Sequence, residues 1–135
     1  MNEEVKNYLG IDWGEAKIGL SLADGETKMA FAYGALKNDK NIINNICEII
    51  KKEEIITVVM GVPVYFNKKE ETFSGRKMAE KIKEVTGVEI IFQNEIFSTQ
   101  SAQKNLIEAG SKKIKLDDAE AARVILESYL DGIMN

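Results

Sequence analysis

The sequence predicts an α/β fold: one five-stranded mixed sheet, three strands antiparallel and two parallel, with helices on both faces. Three observations carry this. Short apolar runs of strand length fill the first part of the chain, and two more such runs follow later, each after a helical segment. The apolar pattern switches to helical period at Asp39 and again in the later segments. The resulting order, β-β-β-α-β-α-β-α-α, makes each later strand parallel to its neighbour through a right-handed crossover.

Taken in order, Tyr8 to Trp13 and Lys17 to Leu22 are apolar runs joined by Gly14-Glu15-Ala16, a spacing that suits a hairpin. Met29 to Leu36 follows a turn at Asp24-Gly25-Glu26 and completes an antiparallel meander. From Asp39 to Glu54 the residues Ile42, Ile43, Ile46, Cys47, Ile49 and Ile50 make one helical stripe, in which Cys47 serves as a small hydrophobe. Ile55 to Val62 is nearly continuous in apolar residues, the mark of a strand buried on both faces, and it stops at Pro63. Ser74 can cap a helix from Gly75 to Thr86 that Gly87 ends, and Val88 to Gln93 forms the last strand. A helix capped by Ser98 or Thr99 runs to Ala109, and the final helix spans Asp117 to Gly132.

The bulk numbers narrow the class. A chain of 135 residues fits one domain, here 1–135, and that length buries roughly two-thirds of its unfolded surface without staples. A lone Cys47 cannot form an internal disulfide and suits a reducing cytosol. The charged start, Met-Asn-Glu-Glu-Val-Lys, lacks a signal-peptide pattern, and no apolar stretch approaches the ~20 residues of a membrane span. A cytoplasmic protein with no membrane partner is expected. The net charge of −4 argues against a nucleic-acid coat protein. It leaves room for an enzyme that grips nucleic acid through local basic groups, such as Lys17, Lys68-Lys69, Arg76-Lys77, Lys112-Lys113 and Lys115.

Asp12 is the residue that points to chemistry. It lies in an otherwise apolar strand, where Asp is disfavoured and a desolvated carboxylate needs a cation or hydrogen bonds. The chain has no His, so neither a metal site nor a general base can use imidazole. Glu95 comes just past the carboxyl end of the last strand, the edge where open α/β sheets collect their sites. Counting from Asp118, the steps of a helical face fall on Ala121, Ala122, Ile125 and Tyr129, so Asp118 faces the sheet and the paired alanines let its helix approach Asp12. Blander roles stand beside these. Asp12 could cap a turn, Glu95 could be a solvated loop acid, and Asp117-Asp118 could serve as an N-cap with a favourable dipole interaction, a role that fits Asp117 better. Three converging carboxylates would repel unless cations lay between them, and Mg²⁺ or Mn²⁺, one ion or two, suits all-oxygen ligands. Such a site favours hydrolysis of a phosphodiester, because the metal lowers the pKa of the attacking water.

Leu9-Gly10-Ile11-Asp12-Trp13-Gly14, Lys17-Ile18-Gly19-Leu20 and Ala23-Asp24 together resemble the opening motif of the YqgF-type (RuvX-like) nucleases. Gly61-Val62-Pro63, Gly87, Glu95 with Ser98-Thr99, Leu106 to Gly110, and Asp118-Ala119-Glu120-Ala121-Ala122 match later blocks in order. The resemblance implies a single RNase H-like domain and a cytoplasmic nuclease of 5′-end maturation of pre-16S rRNA, also described as Holliday-junction-resolvase-like. It implies that Asp12, Glu95 and Asp118 are the acidic metal-site and catalytic positions, and that Lys17 is a basic residue following the first turn. Arg76, Lys112, Lys113 and Lys115 are further candidates for contact with the substrate backbone. The implied partners are structured RNA such as pre-rRNA, with branched DNA as an alternative, and ribosomal precursor particles; either a monomer or a homodimer fits. One departure stands out: where the family has Asp-Glu-Arg around the second acid, this chain has Asn94-Glu95-Ile96, which removes a bidentate phosphate donor.

Two other readings compete. The first is a nucleic-acid-binding module without cleavage, which Asn94 and Ile96 favour and the three acids oppose. The second is a sugar-kinase or actin-like ATPase, whose phosphate loop also carries Asp-x-Gly after a strand; such proteins close two domains around a nucleotide, and this length supplies one.

Overall fold

A computed structural model describes residues 6–62, 74–94 and 117–134 of the chain. The strands are β1 (Asn7–Asp12), β2 (Lys17–Ala23), β3 (Ala30–Lys37), β4 (Ile55–Val62) and β5 (Glu89–Asn94); the described helices are α1 (Ile42–Lys52), α2 (Ser74–Thr86) and α3 (Asp118–Met134). They form a five-stranded sheet in the order β3-β2-β1-β4-β5. β1 pairs antiparallel with β2 and parallel with β4, β2 pairs antiparallel with β3, and β4 pairs parallel with β5. This is the mixed sheet that the element order predicts. The helix expected between Ser98 and Ala109, and Pro63 after β4, lie outside the described residues.

Side chains alternate across a strand, so each face of the sheet has its own core. On one face Leu9, Ile11, Ile18, Leu20, Val58 and Met60 pack against Ile42, Ile46 and Ile50 of α1 and Met78, Ala79 and Ile82 of α2. On the other, Ala23 and Val59 pack against Ile125, Leu126 and Leu130 of α3. Tyr8 joins this second face, its ring 6.3 Å from that of Tyr129. Burial of Tyr129 pushes its phenol up, and the neighbouring Tyr8 and Glu89 add to the shift.

Element ends follow from local chemistry. α1 begins at Ile42 rather than at Asp39 because the Asp39 carboxylate accepts the Asn41 N–H at 2.9 Å and holds those residues in a turn. It ends before Glu54, whose φ of 55° cannot continue a right-handed helix. Gly87, at φ 80°, closes α2 by donating its N–H to the Lys83 carbonyl at 2.8 Å. From Ile55 to Gly61, β4 is buried on both faces except at Ile56, which is exposed; the pairing with β1 steps from Asn7↔Ile55 to Tyr8↔Thr57, so Ile56 is the extra residue of a bulge.

Candidate active site

Asp12 is the last residue of β1, half-buried, and its register partner across the antiparallel pair is Gly19. The same register sets Tyr8 against Ala23 and Gly10 against Ser21, so Asp12 shares the α3 face of the sheet with these small residues. That face is built for close approach. A Cβ on Gly10 would lie 2.9 Å from the Ala122 carbonyl oxygen and 2.9 Å from the Leu126 Cβ. Ser21 uses the space beside Gly10 to donate its hydroxyl to the Ala122 carbonyl at 2.8 Å, a buried bond between sheet and helix.

The first turn of α3 comes closer still. A Cβ on Gly19 would lie 1.9 Å from the carbonyl oxygen of Asp118 and 3.0 Å from its Cα. Gly19 is thus bordered by Asp12 across the strand pair and by Asp118 from above, and both acids are half-buried at the carboxyl-terminal edge of β1. Asp117 takes the capping role that its position suggests: its carboxylate accepts the Glu120 N–H at 2.8 Å and its carbonyl accepts the Ala121 N–H at 3.0 Å. Asp118 is left as the first residue of the helix. The helix face differs slightly from the counted one, since Ala122, Ile125, Leu126 and Leu130 are buried while Ala121 and Tyr129 are half-buried. Outward, Arg123 donates its Nε–H to Glu120 at 2.7 Å and also meets Glu127; the hydrogen bond with Glu120, aided by the charge of both carboxylates, raises the guanidinium above its ordinary value.

Lys17, the first residue of β2, is exposed, stands opposite Lys37, and shares the strand face of Gly19, two positions away. Arg76 lies in the first turn of α2, which starts at the same sheet edge but on the opposite face. Its guanidinium sits over the Phe92 ring at 4.9 Å, and its Nε is buried with no hydrogen-bond partner among the described residues. Glu95, Lys112, Lys113 and Lys115 lie outside the described residues, and among the described residues no three acids gather as a metal site. The two described acids of the expected triad flank one glycine, Asp12 as its register partner and Asp118 through its backbone. Their donors are carboxylate oxygens, the ligand type for Mg²⁺ or Mn²⁺ rather than for zinc or copper.

The acids stand out in the sequence, whereas the small residues that let α3 approach the sheet do not. Gly10, Gly19 and Ser21 are small residues at period 2 on facing strands, and that spacing was the signal available. Lys77, one of the basic groups the sequence offers, lines a groove on the α2 side together with Trp13 and with Lys81, which the sequence did not single out.

Known proteins resemble this chain in sequence and in fold. A protein called "Putative pre-16S rRNA nuclease" from Dictyoglomus turgidum is 32% identical over 132 residues, covering 93% of this chain and 94% of its own length. The RuvC of Thermus thermophilus, solved in complex with a Holliday junction substrate, superposes with a TM-score of 0.65 at 16% identity, covering 96% of each chain. At that identity the likeness shows the fold alone, and it bears out the expected RNase H-like architecture. A ROK hexokinase from the same organism superposes at a TM-score of 0.51 and 17% identity over 74% of this chain but only 37% of its own. At that identity the hexokinase likeness, too, shows the fold alone. The profile of the family described as "RuvX: Holliday junction resolvase" matches residues 6–132, nearly the whole sequence, and the chain belongs to the RuvX family.

Proposed function

We propose that this chain is a metal-dependent endonuclease that hydrolyses phosphodiester bonds, acting in 5′-end maturation of pre-16S rRNA. The observation that carries the reading is the meeting of Asp12 and Asp118 at Gly19, at the edge where the parallel strands end. The names of the relatives and the membership in the RuvX family support the same activity. One nuclease domain spans 1–135. Asp12, Glu95 and Asp118 are the residues that would hold one or two Mg²⁺ or Mn²⁺ ions. When bound, such ions supply an activated water and stabilise the leaving oxygen of an in-line displacement.

The chain's own residues set the geometry. The strand ladder holds the backbone of Asp12 and the contact with Gly19 holds the backbone of Asp118, which supports a site ordered before substrate arrives. Lys17, on the same face, offers a cation to the nucleic-acid backbone, as do Arg76, Lys112, Lys113 and Lys115. Such contacts position a duplex without reading its sequence. Structured pre-rRNA within ribosomal precursor particles is the substrate we favour, branched DNA the alternative, with the protein a monomer or homodimer in the cytoplasm. Among the described residues no helix is long and apolar enough to cross a membrane.

The test is Mg²⁺- or Mn²⁺-dependent cleavage of a pre-16S leader RNA and of a four-way DNA junction, with Asp12→Asn as control. Cleavage that the substitution abolishes supports the reading. Binding without turnover, unchanged by Asp12→Asn, favours instead the non-cleaving module to which Asn94 and Ile96 point. A manganese titration followed by NMR line broadening at Asp12 and Asp118 tests the metal site directly.

A further inference from the structure

A groove of about 470 Å³ opens beside the candidate site, on the other face of the sheet. Its walls include Trp13, Asn38, Lys77 and Lys81, and its floor includes Ile42 and Met78. We propose that it holds an unpaired stretch of the nucleic-acid strand flanking the scissile phosphate, with a base against Trp13 and phosphates against Lys77 and Lys81. This rests on the reading that the chain acts on nucleic acid.

Four observations support this occupant. The first is charge: the chain carries −4 overall, yet among the described residues the groove lining holds two exposed lysines and no carboxylate. The lysines are four residues apart on α2 and so lie one above the other along a single helix face. The second is the pairing of an indole with lysines. Single-strand sites combine an aromatic platform with a cationic track, whereas a duplex keeps its base faces stacked inside. The third is size, since about 470 Å³ falls in the range of pockets that take a small ligand, enough for roughly one or two nucleotides.

The fourth is continuity. Trp13 directly follows Asp12 but packs against the core on the α1 and α2 side, while Asp12 shares the α3 face. A strand leaving the acids thus crosses the end of β1 and enters the groove. The loop it crosses is held in place: Asn38 donates its side-chain N–H to the Gly14 carbonyl at 2.8 Å and its backbone N–H to the Ala16 carbonyl at 2.9 Å.

Trp13 is the only tryptophan of the chain, so its fluorescence reports on the groove without a label. The experiment titrates a twelve-nucleotide single-stranded RNA of mixed sequence, and a blunt RNA duplex of the same sequence, into the protein in EDTA. Quenching of Trp13 by the single strand and not by the duplex is expected. With K77Q/K81Q, affinity should fall about tenfold, and the slope of log K against log salt should drop by about 1.4, roughly 0.7 for each lysine on a single strand. Equal quenching by duplex and single strand, no quenching, or an affinity and salt slope unchanged in K77Q/K81Q would each overturn the proposal. Both lysines are exposed, so the substitutions spare the core. Because EDTA removes cleavage from the measurement, the two readings fail separately. Quenching without Asp12-dependent turnover overturns the nuclease and leaves the groove. Asp12-dependent turnover with a silent Trp13 overturns the groove and leaves the nuclease.

Discussion

The backbone carbonyl of Asp118 lies where a side chain on Gly19 would begin, 1.9 Å from an added Cβ. The obstructing atom belongs to the backbone of a helix, so it cannot swing aside as the end of a flexible side chain can. Gly19→Ala therefore must lift the start of α3 away from β2. We expect a loss of about 2 kcal/mol or more in stability from the overpacking, together with loss of cleavage, because Asp118 leaves Asp12. Thermal denaturation and the cleavage assay on one preparation check both; full activity in Gly19→Ala would refute the arrangement.

Asp118→Asn separates chemistry from fold. Its contact with Gly19 runs through the backbone, which the substitution keeps. Asp12→Asn and Asp118→Asn should each cut metal-dependent cleavage by at least about a hundredfold, since even groups that merely orient a metal ligand are worth ten- to a hundredfold. The melting temperature of each should stay close to that of the parent. A large drop in stability would mean that the acids serve the fold first.

Gly10 and Ser21 should prove energetically coupled. A Cβ on Gly10 would lie 2.3 Å from the Ser21 Oγ, the same hydroxyl that bonds the Ala122 carbonyl. Ser21→Ala alone should cost about 1 kcal/mol, the net worth of one buried hydrogen bond. Gly10→Ala should cost less in the Ser21→Ala background than in the parent, with a coupling on the order of 1 kcal/mol in a double-mutant cycle. It stays destabilising even there, because the Ala122 carbonyl and Leu126 still stand in the way.

Burial pushes the Cys47 thiol above its ordinary value of 9.0. A raised folded-state pKa means that the native protein holds its proton more tightly than the unfolded chain. The associated stabilisation is complete below pH 9 and is lost as pH rises through the folded-state value. Alkylation of Cys47 at pH 8 should accordingly run slower in the native protein than in urea, and faster native labelling would contradict the burial.

Much of the fold was legible because periodicity and punctuation are local. The apolar run of β4, the helical stripe of α1 and the glycine that stops α2 are each written within a dozen residues. The exceptions have local causes that the pattern does not encode, such as the Asp39 turn that delays α1 and the bulge that exposes Ile56. Of the site, Asp12 was legible as a charge in a strand and Asp118 through its helix phase; Glu95, which followed from the resemblance and from its place after a strand, lies outside the described residues.

By itself the sequence determined which of the described elements form, that the sheet is mixed, and that Asp12 ends its first strand, since short-range spacing and the handedness of crossovers decide these. Only the tertiary structure decided that Asp12 and Asp118 meet at Gly19, that Ser21 ties the sheet to α3, and that Trp13, Lys77 and Lys81 share one groove. Those relations join residues far apart in the chain. They depend on strand register and on how closely a helix can approach small side chains, and no local pattern records either.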